Sequence, residues 1–115
     1  MDYHHQYGHA ISITTTKAIY QLQIESILYF ECADSLISVF HTNDDKPFHY
    51  INSLSKIEEE LNHFGFIRIS HNMLVNMRNV LKCSTKTHTV YLKNGVLLQA
   101  SRRKWHKIKV ILNDN

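Results

Sequence analysis

Apolar and polar positions alternate in the first part of the chain. Ile11, Ile13 and then Ile19 alternate with polar residues, and Tyr20, Leu22 and Ile24 continue the alternation. A period of two predicts strands over 10–14 and 18–23, with Thr14-Thr15-Thr16-Lys17 as the turn between them. Glu25-Ser26 breaks the alternation. Ile27-Leu28-Tyr29-Phe30 is a continuous apolar run, rich in β-preferring residues and short for a helix. Glu31 to Ser35 reads as a turn, Leu36 to Phe40 as the returning strand, and Thr42 to Lys46 as a second turn built on Asn and Asp. Pro47 cannot donate to a ladder, so 48–51 reads as an edge strand.

The period then changes. Leu54, Ile57, Leu61 and Phe64 recur at helical spacing. Ser53 fits the N-cap, with Ser55 and Glu58 as an alternative capping box, and Gly65 fits a left-handed C-cap. Residues 66–76 follow. Here an apolar strand carries Arg68 in its middle, breaks into Ser70-His71-Asn72, and resumes from Met73 to Asn76. Three adjacent hydrogen-bonding side chains do not suit a core strand; they suit a polar tip on a rigid apolar base. Val80-Leu81 reads as a strand and Lys82 to Lys86 as turn-like. Asn94-Gly95 between two β-type runs predicts a two-residue type I′ hairpin pairing Tyr91 with Leu98 and Leu92 with Leu97. Ser101 caps a closing helix whose apolar stripe is Trp105, Ile108 and Leu112, with Ile111 beside it.

Composition narrows the class. The 115 residues suit one domain, with 1–9 as a flexible lead-in and 10–115 as the folded unit. A hydrophobic share of 43% and a charged share of 20% are those of an ordinary soluble domain. Cys32 and Cys83 form no C-x-x-C pair, which fits a reducing, cytoplasmic setting. No apolar run reaches membrane length, and the first nine residues lack a signal core. His4, His5 and His9 lack matching Cys or carboxylate ligands, so neither a metal nor another cofactor is expected.

Charge is segregated. From Leu61 to Asn113 there is no Asp or Glu, yet that span holds ten of the thirteen Lys and Arg. Phosphate is the commonest partner of such a surface; a solvated basic face with no ligand is the plain alternative. Arg102, Arg103 and Lys104 fill the first turn of the last helix, where the dipole disfavours cations and free N–H groups favour an anion. A catalytic centre is not expected. Ser70 and His71 are chain neighbours on a strand, and the basic half has no carboxylate to orient the histidine. RNA or single-strand binding is the closer rival, but the aromatics it needs for stacking lie mostly in the acidic half, at Tyr29, Phe30, Phe40, Phe48 and Tyr50. A protein-interaction domain is the third reading.

Taken together, the chain resembles the LytTR family of DNA-binding domains of bacterial response regulators. The resemblance rests on Ile27-Leu28-Tyr29-Phe30-Glu31 before a turn, Ser53-Leu54 opening a helix, Phe66-x-Arg68-x-Ser70-x-x-x-x-Val75-Asn76, and Asn94-Gly95 followed by Ala100-Ser101-x-Arg103. It spans about residues 10 to 112. It implies a mainly β fold of antiparallel sheets with one short internal helix and a C-terminal helix. Loops rather than a recognition helix would enter the major groove of double-stranded DNA, and two copies would bind direct repeats.

Carried over, Ser70, His71 and Asn72 form one reading loop. Arg103 reads a base from the second, flanked by phosphate contacts from Ser101, Arg102 and Lys104. Asp34 and Ser35 approach from the early turn. Arg68 is either a contact or a structural strand residue. His71 stands where the family usually has Arg, Lys or Asn, so it can donate or accept but lacks the arginine fork. Met73 replaces a common aromatic and is expected to pack beneath the loop. A receiver or sensor domain has no room before Ala10. The expectation is therefore the DNA-binding portion of a longer regulator, or a domain acting alone.

Overall fold

An apolar run with no polar face needs cover on both sides, and Ile27-Leu28-Tyr29-Phe30 receives it. The computed structural model describes residues 9–113. In it β3 (Ile27–Ala33) is the middle strand of a five-stranded antiparallel sheet. On one side lie β4 (Leu36–His41) and β5 (Phe48–Ile51); on the other lie β7 (Met73–Asn76) and then β6 (Phe66–Ser70). Ile27 and Phe30 join a core with Ile37, Val39, Phe66 and Leu74. Leu28 and Tyr29 join a second core with Ile69 and Val75. The first core is closed by the hairpin of β1 (Ala10–Thr14) and β2 (Ile19–Gln23) and by α1 (Leu54–Glu60). The second is closed by α2 (Arg102–Asn113) and by a three-stranded sheet of β8 (Val80–Ser84), β9 (Thr89–Leu92) and β10 (Leu97–Gln99). The edge-strand reading of 48–51 holds, because β5 ends the sheet order.

The differences from the sequence reading have physical causes. Glu31, Cys32 and Ala33 are strand, because their pairing with Ser38, Ile37 and Leu36 runs on to a turn at Asp34-Ser35. Asp34 takes φ 58, in the left-handed region that Asp tolerates. Lys82 to Ser84 is strand as well, with the Lys82 ammonium 4.7 Å from the centre of the Tyr91 ring. The α1 stripe tightens after Leu61 into a 3-10 turn, Asn62–Phe64, and ends at Gly65 with φ 84. Ser53 caps α1 by accepting from the Lys56 N–H at 3.3 Å; Ser55 lies inside the helix.

The Asn94-Gly95 hairpin is one residue out of the expected register. Leu97 faces Tyr91 and Leu98 faces Val90. The loop has three residues: the Leu92 N–H donates to Val96 O at 2.9 Å, and Gly95 takes φ 95. The core decides this, because a one-residue slip exchanges the faces of a strand. The observed register buries Val90 and Leu98 together and leaves Leu97 outside, at 57% exposure.

Asn76 ties the sheet to the β2–β3 junction. Fully buried, it donates from Nδ2 to the carbonyls of Ile24 (3.1 Å) and Ile27 (3.0 Å) and accepts from the Arg78 N–H at 3.1 Å. Asn79 adds bonds to Glu25 and Ile27.

Candidate nucleic-acid interface

The polar tip is the turn between β6 and β7. His71 and Asn72 form its two-residue apex, and Ser70 pairs with Met73 across it. A bulge at Ile69 lets the strand change faces, so Ile69 enters the second core while Arg68 and Ser70 remain half-buried. His71 is exposed. The Ser70 hydroxyl donates to Asn72 Oδ1 at 3.0 Å, and Asn72 is half-buried. The Asn72 carbonyl accepts from the Cys32 N–H at 2.9 Å, so the tip is also fastened to the end of β3. Met73 packs against the second core, beneath the tip.

The start of α2 sits beside this tip. The Ser101 N–H donates to the Ile69 carbonyl at 2.8 Å, covering the free edge of β6. Ser101 Oγ accepts from the Lys104 N–H at 3.2 Å, as an N-cap does. Arg102 and Arg103 are exposed and Lys104 is half-buried, with no acid in that turn. Ile108 is fully buried beneath, and Trp105 and Leu112 pack on the same core.

Asp34, Ser35, Arg68, His71 and Asn72 line one open concavity of about 540 Å³, with Cys32 and residues 52–55. Asp34 and Ser35 are exposed at its rim. Arg68 is turned inward: it pairs with Glu58 at 2.9 Å and donates to the His71 carbonyl at 2.9 Å. The folded chain thus gathers the tip, the early turn and Arg68 around one hollow, and roots α2 next to it.

A family model described as the LytTr DNA-binding domain matches residues 17–113. The chain belongs to the LytTR family. The LytTR fold is matched by a LytTr DNA-binding domain from Bacillus cereus, assigned to a methyl-accepting/DNA response regulator. The TM-score is 0.75 at 20% identity, over 90% of this chain and 95% of that one. A likeness at that identity carries the fold alone. No curated protein matches. Membership makes this a DNA-binding domain of a regulatory, non-catalytic family.

Three supports of the LytTR site escape sequence reasoning. The His88 ring stacks on Trp105 at 4.5 Å, and the His88 carbonyl accepts from the Ala100 N–H at 2.9 Å. Gln99 donates to the carbonyls of Thr87 (2.8 Å) and Ala100 (3.1 Å). Together they brace the loop that launches α2. Glu58, which the sequence offers as a capping-box residue with Ser55, is the partner of Arg68. The one available signal was the paired sign of Glu58 and Arg68. The aromatics that would serve single-strand stacking are largely withdrawn, since Tyr29, Phe30 and Phe48 are buried. Among the described residues no cluster of metal-ligating side chains forms and no helix is long and apolar enough to cross a membrane. The expectations for His4 and His5 lie outside the described residues, while the His9 ring lies 5.0 Å from that of Phe64.

Proposed function

We propose that this LytTR domain reads double-stranded DNA sequence-specifically, as the output part of a cytoplasmic transcriptional regulator, through loops 70–72 and 101–104 in the major groove. One observation carries the reading: the Ser101–Ile69 hydrogen bond roots both basic-half loops on the same edge strand. A protein that reads bases must hold its readers at fixed spacing, because each base edge offers donors and acceptors at fixed positions. His71 and Arg103 are the base readers in this scheme, Arg103 by a forked contact to guanine O6 and N7. Asn72, Ser101, Arg102 and Lys104 hold phosphates, and Ser70 orients Asn72. Asp34 and Ser35 approach from the adjacent turn. Two copies on direct repeats, joined to an upstream receiver or sensor domain, complete the scheme.

The test is selection from random duplexes at about 50 and about 200 mM salt, with the bound fraction sequenced. The expected result is a short motif recurring at about one helical turn, with affinity falling steeply with salt. Salt-sensitive binding without any motif, or a preference for single-stranded RNA, overturns the reading.

A further inference from the structure

We propose that Arg68 is a positioning residue for the His71 loop and does not touch DNA. The inference rests on the role proposed above for residues 70–72. The Arg68 guanidinium is already occupied. Nη1 donates to Glu58 Oε1 at 2.9 Å and to Ser55 Oγ at 3.4 Å, while Nη2 donates to the His71 carbonyl at 2.9 Å. The Arg68 side chain is only 17% exposed. Its Nε is buried and unpartnered, so it is not turned to solvent where a phosphate would lie. A planar fork with fixed donors suits such a bridge, in which one group joins a helix to a loop.

What Arg68 bridges matters more than the bonds themselves. Its helix-side acceptors, Ser55 and Glu58, belong to α1, and its other acceptor is the carbonyl at the apex of the tip. The orientation of that peptide sets the direction in which the His71 ring leaves the turn. Arg68 also immediately precedes the Ile69 bulge, and the Ile69 carbonyl takes the Ser101 bond. On two successive residues the strand is therefore fastened to α1 and then to α2. Glu58 gives the argument a sign. An acid near a polyanion site opposes binding by simple charge, within a Debye length of about 8–10 Å. It favours binding only by holding Arg68.

The experiment measures wild type, Arg68→Met, Arg68→Lys and Glu58→Gln on the selected operator and on a random duplex over a range of salt. We expect Arg68→Met to weaken the operator about tenfold and the random duplex less than about twofold, with an unchanged salt slope. Arg68→Lys should not restore the operator, because an ammonium keeps the charge but loses the fork. Glu58→Gln should weaken the operator although it removes a negative charge. The inference is overturned if Arg68→Met weakens both duplexes alike and lowers the slope by about one unit while lysine rescues, the pattern of a phosphate contact. It is also overturned if Glu58→Gln tightens both duplexes. Glu58 lies on a helix surface at 33% exposure, so its variant carries the test even if Arg68→Met fails to fold. A wild type with no operator preference refutes the role of residues 70–72 instead, and is seen before any variant is made.

Discussion

Ser101 donates its backbone N–H to the carbonyl of Ile69 at 2.8 Å, and the first turn of α2 is thereby set against the strand that carries His71. The backbones of the two loops are thus spaced by main chain, which no side-chain rotation can change.

Arg103 and Lys104 share that turn but should behave differently on mutation. Arg103→Ala should cost about 1–3 kcal/mol on the operator and relax preference at one base pair. Lys104→Ala should weaken all duplexes alike and lower the salt slope by about one unit. Binding titrations on operator and random duplexes decide it. Equal loss on both for Arg103→Ala refutes base reading, and an unchanged slope for Lys104→Ala refutes the phosphate contact.

Asn76 is conspicuous in sequence yet has no surface, so its variants should report on stability. Asn76→Ala leaves the Ile24 carbonyl without this donor and should cost about 2–4 kcal/mol in chemical denaturation. Asn76→Asp should be worse, and worse with rising pH. A buried carboxylate facing two carbonyls has its folded pKa raised, so its folded state is tolerated when protonated and loses stability as pH climbs from about 4 to 7. A flat pH profile for Asn76→Asp would contradict this.

The β9–β10 loop offers a test of register. A type I′ turn requires positive φ at both Asn94 and Gly95, whereas here Gly95 alone in the loop has it. Asn94 instead accepts the Val96 N–H at 3.2 Å through its side chain. Asn94→Ala should therefore cost under about 1 kcal/mol. Gly95→Ala should cost about 1–2 kcal/mol from backbone strain alone, since an added Cβ meets nothing within 4 Å. Comparable losses in the two melting curves would restore the two-residue turn.

Alkaline stability follows from two tyrosines. Burial pushes the Tyr29 phenol up, and the charge of Glu31 adds to it. Burial also pushes Tyr50 up, with Glu60 adding and a hydrogen bond to Asn52 opposing. In the unfolded chain these phenols ionise near about 10, but in the fold they do so later. Their contribution is thus intact below that value and is lost as pH rises through the folded pKa. Absorbance titration at alkaline pH should show two late ionisations, and Tyr29→Phe and Tyr50→Phe should each remove one. Ionisation of both together with the other tyrosines would refute this.

Much of the fold is readable because local signals and tertiary demand agree. Ile11, Ile13 and Leu22 alternate because the hairpin has one buried face, and Ser53 and Gly65 mark the ends of a helical segment with side-chain and backbone chemistry of their own. What escapes depends on partners distant in sequence. Glu31 to Ala33 stay in a strand because β4 continues to pair with them, and Lys82 to Ser84 because β9 does. The hairpin register is set by a core to which the Asn-Gly dipeptide is blind. At the site, His71 and Arg103 stand out as polar or basic residues at element ends. Arg68 was undecided because its partners lie on a helix that the sequence does not dock.

Strand β3 also bears on how the molecule folds. Ile27 and Phe30 belong to one core and Leu28 and Tyr29 to the other, and its partner β7 arrives only after α1 and β6 have been made. Neither core can form a stable intermediate without the strand that serves both, so unfolding should be a single cooperative event. The pairing of Tyr29 with Val75 closes a long loop, which slows folding through its entropy and raises the contact order. The amides of Leu28 to Glu31 should accordingly exchange with solvent only through global opening, which makes them the slowest in the domain.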